Sequence, residues 1–123
     1  MKRFEDLRVW QDSHKMVRSI YELTEPINDW GFKDQIRRAA VSVMNNIAEG
    51  SESGSDANFI KFLHIAKGSC GEVRSMLYLI TDLFQVDSST VSTLKNDCER
   101  IAANIHSLVA YLTDGKNKQH TKR

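Results

Sequence analysis

The 123-residue chain has one proline, Pro26, and six glycines, too few breakers for the many turns of a β-sandwich or barrel. It has two cysteines, Cys70 and Cys98, which excludes a disulfide-stapled scaffold, a zinc ribbon and a CxxC redox site. No run of about 18 apolar residues occurs, so no membrane-spanning helix is expected. The opening Met1-Lys2-Arg3-Phe4-Glu5-Asp6 returns to charge at once and holds no apolar signal core, so cytoplasmic residence is expected. Charge of one sign is also missing: 17 basic against 16 acidic side chains leave +1. That near-neutrality conceals an asymmetry. Residues 114–123 set Lys116, Lys118, Lys122 and Arg123 against Asp114, a net +3, which leaves −2 on residues 1–113. A slightly acidic body is a poor start for a polyanion binder, whereas a basic tail is a candidate for phosphate contact.

What is present is helix-forming sequence with a 41% hydrophobic fraction, enough to bury one core in one domain. Its periodicity predicts four helices. In the first, residues 4–24, Leu7, Trp10, His14, Val17 and Tyr21 recur at helical spacing with Ile20 widening the stripe, and Pro26 ends the run. Asn28, Asp29 and Gly31 read as a loop, with Trp30 and Phe32 folded back onto the core. The second helix, residues 33–48, buries Ile36, Ala40, Val43 and Ile47, with Gly50 at its C-terminal turn. After the loop at residues 51–56, the third helix runs to residue 84 and carries two seven-residue series. One is Phe59, Ala66, Val73 and Ile80; the other is Leu63, Cys70, Leu77 and Phe84. Gly68 and Gly71 interrupt it at about 1 kcal/mol each relative to Ala, a cost that a closely approaching helix would explain. The fourth helix follows Asp87-Ser88-Ser89, with Val91, Leu94, Cys98, Ile101, Ile105, Leu108 and Leu112 as a coiled-coil-like seam, and Asp114-Gly115 stops it. Short links make the fold an all-α, antiparallel up-down-up-down four-helix bundle over residues 1–113, followed by a basic, disordered tail over 114–123.

The second helix carries a polar stripe beside its apolar one: Gln35, Arg38, Ser42, Asn45 or Asn46, and Glu49. Ser and Asn are weak helix formers, so their use in mid-helix points to particular hydrogen bonds rather than plain solvation. Two accounts fit the residues. In one, Gln35, Arg38, Ser42, Asn46, Glu49 and Glu72 form a buried, charge-assisted network with Arg38 and Glu49 at least half covered, within the chain or across a subunit contact. In the other, Arg37 and Arg38 face phosphate, joined by Lys2, Arg3 and the tail cations Lys116, Lys118, Lys122 and Arg123.

Catalytic patterns are scarce. No Glu-x-x-His pair serves a di-metal site, and His14, His64 and His106 fall on three different helices with no evident carboxylate partner. Gly68-Ser69-Cys70-Gly71 is too short for a phosphate loop and lies within a helix pattern. A hairpin turning near Asp87 offsets the two cysteines by about six residues, or about 9 Å, beyond disulfide reach. They read as reduced core residues. No enzyme activity, cofactor or metal is expected.

The segment from Gln35 to Gly50, above all Asn46-Ile47-Ala48-Glu49-Gly50, resembles the signature of the family of large-subunit rRNA intervening-sequence proteins. Phe4, Leu7, Trp10 and Gln11 resemble the family's first helix, and Phe59, Phe62, Leu63, Ala66, Gly68, Ser69 and Glu72 its third. At Ser53 and Asn58 the chain departs from the Arg and Glu common in the family, which removes one candidate phosphate contact. The resemblance implies a four-helix bundle assembled as a ring of five subunits, without an established activity. Related accessory variability proteins of retroelements bind a reverse transcriptase and RNA. The expected function is therefore a non-catalytic, ring-forming accessory or scaffold protein that engages RNA or an RNA-associated protein. The alternative is a direct rRNA or other nucleic-acid binder using the tail and the Arg patch.

Overall fold

The structure, a computed structural model, describes the backbone of residues 3–121 and the side chains of residues 3–115. A short 3-10 turn, Phe4–Asp6, leads into helices α1 (Arg8–Thr24), α2 (Trp30–Glu52), α3 (Asp56–Leu83) and α4 (Ser88–Thr121). Each helix packs against its chain neighbours, and α1 closes against α4; the described residues show no diagonal packing of α1 on α3 or α2 on α4. That is the four-helix bundle expected from the links.

Side-chain caps set the helix starts. The Asp29 carboxylate accepts from the Phe32 N–H at 3.1 Å, and Ser55 Oγ accepts from the Asn58 N–H at 3.2 Å. At α4, Asp87 accepts from the Thr90 N–H at 3.1 Å and from the Ser89 and Thr90 hydroxyls. In each cap the bond from the backbone N–H satisfies a donor that the first helical turn leaves open. The Asp29 cap starts α2 three residues before the sequence expectation, and Trp30 becomes its first residue, 72% exposed rather than folded back. Ile27 seals that corner of the core instead, since it buries without a polar atom to satisfy.

The core is aliphatic. Ile20, Ile36, Val43, Ile47, Leu63, Val73, Leu77, Ile80, Ile101 and Ile105 are wholly buried. In α1 the buried face is Val9, Ser13, Met16, Val17, Ile20 and Thr24, rotated from the expected stripe. His14 and Tyr21 are exposed and Trp10 is half-buried, with the His14 ring stacked on its indole at 5.0 Å. The two buried hydroxyls are satisfied within the helix: Ser13 Oγ donates to the Val9 carbonyl at 2.6 Å and Thr24 Oγ1 to that of Ile20 at 2.7 Å.

Three expectations about breakers are corrected. Gly50 does not end α2, which continues to Glu52; a Cβ at Gly50 would stand 2.8 Å from Phe62 Cβ and 2.9 Å from Phe59 Cδ1. Its missing side chain lets α3 approach. The turn itself uses Gly54, at φ +85°. Gly68 and Gly71 make no close approach, because a Cβ at either would meet no atom within 4 Å. Asp114 and Gly115 do not stop α4, which runs through both.

Register in the α3–α4 hairpin also differs. Cys70 Sγ lies 3.3 Å from the Cys98 carbonyl oxygen, so residues 70 and 98 meet and the hairpin pivots near Phe84. Phe84 leaves the helix in an extended conformation and packs edge-on against Phe32, with ring centres 5.2 Å apart. The four-residue link therefore lies mostly beyond the pivot, and that asymmetry removes the six-residue offset between the cysteines.

Candidate functional site

The polar stripe of α2 divides into three parts. Toward α3, Ser42 Oγ and Ser69 Oγ share a hydrogen bond at 2.9 Å. Asn46 Nδ2 donates to the Ser42 carbonyl at 2.8 Å and to its hydroxyl at 3.0 Å. One turn of α3 further on, Gln35 Nε2 donates to Glu72 Oε2 at 3.5 Å. Small side chains at this seam, with Gly50 beyond them, hold the two helices close. Four of the expected network residues, Gln35, Ser42, Asn46 and Glu72, thus lie along the α2–α3 seam, but in two separate sets of contacts, and Gln35 and Glu72 are exposed there rather than buried.

Arg38 and Glu49 do not join it. They project outward from α2, and both are exposed within the chain. The Arg38 side chain is 80% exposed and bonds Asp34, one turn away, at 2.9 Å. Their burial inside a single subunit is overturned. The reason is angular: both lie on the side of the helix opposite Ile36, Val43 and Ile47, at 100° per residue.

Toward α1, Arg37 is committed to the structure. Its side chain is 16% exposed. Nε donates to Thr24 Oγ1 at 2.9 Å, and Nη2 donates to the Tyr21 carbonyl at 3.1 Å and to Glu25 at 3.4 Å. The guanidinium carbon lies 4.3 Å from the Tyr21 ring centre. Helix α1 has no basic residue in its own last turn, and Arg37 supplies one from α2, at the negative end of the helix dipole. The pairing of Arg37 with Arg38 as adjacent phosphate ligands is therefore corrected. Consecutive helical residues diverge, and only Arg38 faces solvent. Lys2, Lys122 and Arg123 lie outside the described residues, as do the side chains of Lys116 and Lys118; Arg3 is exposed and pairs with Glu5.

Between these parts lies a shallow groove of about 580 Å³, lined by Tyr21, Trp30, Asp34, Arg37, Arg38, Val41, Ser42, Asn45 and Asn46. It is lined by an exposed indole, two guanidinium groups, a carboxylate, two amides and two hydroxyl-bearing side chains. That is the composition of a recognition surface. A second exposed apolar set lies on α3, where Leu79 and Leu83 are one turn apart; Ile65 falls on the same side about 21 Å away, with the exposed Glu72 between them. The exposed Trp30 and the Arg37 clasp were both missed in the sequence. The signal for the clasp was available: Arg37 lies next to the apolar stripe, and Thr24 stands just before the helix-ending Pro26.

His14, His64 and His106 are all exposed, on α1, α3 and α4. Among the described residues no cluster of three or more His, Cys, Asp or Glu could hold a metal ion, and no helix is long and apolar enough to cross a membrane.

The class defined here is a small four-helix bundle with a polar signature helix and an aromatic-edged groove beside it. Within that class, the chain belongs to the 23S rRNA-intervening sequence protein family, whose family model matches residues 5–107. Its fold is similar to the crystal structure of a protein of unknown function from the S23 ribosomal protein family of Bacteroides thetaiotaomicron, with a TM-score of 0.76. The two share 24% sequence identity, over 82% of this chain and 97% of that one. No curated protein matches the sequence.

Proposed function

We propose that this protein is a non-catalytic subunit of a homo-oligomeric ring, most simply a pentamer, that serves as an accessory or scaffold for RNA or an RNA-associated protein. The observation that carries the reading is a pair of unlike exposed surfaces. One is the groove of Trp30, Tyr21 and Val41 between α1 and α2; the other is the Ile65, Leu79 and Leu83 edge of α3. A cyclic ring joins two different patches head to tail, as a surface with two such faces permits. Arg38 and Asn45 line the groove and Glu49 is exposed on the same helix, so a neighbouring subunit seated there would supply the cover they lack within the chain. Ring size rests on the family resemblance alone.

Light scattering on the purified protein at micromolar concentration tests this reading. A mass near five times 14.0 kDa is the expected result; a single-chain mass would overturn it. The alternative of direct RNA binding through Arg38 and the tail is separated by salt titration. Binding to rRNA fragments that weakens steeply with salt and is lost on deleting residues 116–123 would favour it.

A further inference from the structure

Two exposed glycines in the middle of α3 have no packing reason to be there, since a Cβ at Gly68 or Gly71 would touch nothing. They flank Cys70, and Gly71 lies in the wall of a groove of about 400 Å³ between α3 and α4. Cys70 and Cys98 both line that groove, with Lys67 and Arg74 on one side and Glu99 on the other. Both cysteines are free and buried. With no side chain at position 71, the groove wall beside the buried Cys70 stays bare, and a leucine there would cover it.

The two thiols form a matched pair. The Cys70 S–H donates to the backbone oxygen of Cys98 at 3.3 Å, which brings residues 70 and 98 together at the helix interface. The Cys70 thiol is held below its ordinary range, chiefly by the hydrogen bond from Cys98; burial opposes this, while the Ala102 backbone and the charge of Arg74 assist. The same hydrogen bond, then burial, pushes the Cys98 thiol up. Of the two, Cys70 shares its helix with Lys67 and Arg74, one turn to either side, and their positive charges in the groove wall favour its thiolate once its proton leaves. Around them Arg74 is paired with Glu99 at 3.0 Å, and Lys67 Nζ lies 3.5 Å from His106 Nδ1.

We propose that Cys70 and Cys98 are a hydroperoxide-reactive dithiol that closes into a disulfide stapling α3 to α4. The Cys70 thiolate attacks one peroxide oxygen; the O–O bond breaks, and the other oxygen leaves as water or an alcohol, taking the proton Cys70 gave up. Cys70 becomes a sulfenic acid. The Cys98 sulfur then attacks Cys70 sulfur, the S–O bond breaks, and the hydroxyl leaves as water with the Cys98 proton. Two sulfurs are oxidised by one electron each, and the peroxide is reduced by two. The product closes a loop through the α3–α4 link, so it constrains the unfolded chain and tightens that hairpin.

The test uses the full chain, reduced and then exposed to hydrogen peroxide with glutathione present as an internal reference. Intact mass should fall by two hydrogens, with non-reducing peptide maps joining Cys70 to Cys98 within one chain. Cys98→Ala should trap a dimedone-reactive sulfenic acid on Cys70, and Cys70→Ala should leave Cys98 unlabelled. Gly71→Leu should slow the oxidation at least about tenfold by covering the thiolate while the melting temperature holds or rises. Two free thiols after the glutathione is consumed would overturn the proposal. So would cross-links only between chains, or wild-type oxidation rates in Gly71→Leu. That last variant retains both cysteines, so it decides the matter even if an alanine variant fails to fold.

Discussion

At the residue scale, neighbours in sequence have opposite duties. Arg37 clasps the end of α1 with three hydrogen bonds and a ring contact, whereas Arg38 reaches only Asp34 from an exposed position. Replacing Arg37 by Ala should cost about 1–3 kcal/mol, because a largely buried hydrogen-bonding group is lost. Its exposed contact with Glu25 adds little to that figure. Arg38→Ala should stay within about 0.5 kcal/mol for the isolated subunit. Denaturant unfolding of both variants reads the contrast directly; equal losses would mean the clasp is not formed in solution. Gly50 is the other residue with a sharp expectation. A methyl group there is forced into the Phe59 and Phe62 side chains, so Gly50→Ala should destabilise by about 1–3 kcal/mol through overpacking, despite alanine's better helix propensity. A stabilised variant would show that α3 can slide away.

At the scale of single elements, the start of α4 depends on one carboxylate. Hydrogen bonds from the Thr90 hydroxyl, then the Ser89 hydroxyl and the Thr90 backbone, hold the Asp87 carboxyl below its ordinary value of 3.8. A carboxylate lowered on folding stabilises the fold above its unfolded value. That contribution is lost as the pH falls through the lower, folded value. The melting temperature of the wild type should therefore drop more steeply below pH 3.8 than that of Asp87→Asn, which has no such proton to gain. Parallel curves would remove the cap from the account. Element boundaries also show where sequence reading succeeds and where it stops. The α4 seam from Val91 through Ile105 was legible, since its three- and four-residue spacing admits one inward face, and those residues are buried. The face of α1 was legible only at Val17 and Ile20, because Val9 and Met16 compete with Leu7, Trp10 and Tyr21 for the core, and only the neighbouring helices decide between them. Asp29 was read as loop because its cap bond is a property of geometry. Of the site, the α2–α3 polar seam was visible as misplaced Ser and Asn, but the outward turn of Arg38 and the inward turn of Arg37 depend on where α1 and α3 lie.

At the scale of the whole molecule, the proposed ring makes a prediction that a symmetric dimer does not. Trp30→Glu disables one patch and Leu79→Glu the other, and both positions are exposed, so each subunit should fold and remain single. When the two variants are mixed, the surviving groove of one meets the surviving α3 edge of the other. A one-to-one pair should form and stop there, because both outer faces are blocked. Sedimentation of the mixture checks this; rings recovered from the mixture, or no association at all, would refute the head-to-tail arrangement.

The meeting of α1 with α4 has a further consequence. Leu7 lines the same hollow as Gly54, Phe59 and Leu112, so the entry to the first helix, the hairpin between the second and third, and the far part of the fourth gather at one pole of the bundle. A circularly permuted chain could therefore be opened at Gly54, with a short tether across that pole, and keep every helix-to-helix neighbour it now has. Its order of assembly would change. The α1–α4 pairing, at present the most distant closure along the chain, would become a local hairpin, and α2–α3 would become the distant one. The same bundle would then be reached by a different sequence of steps.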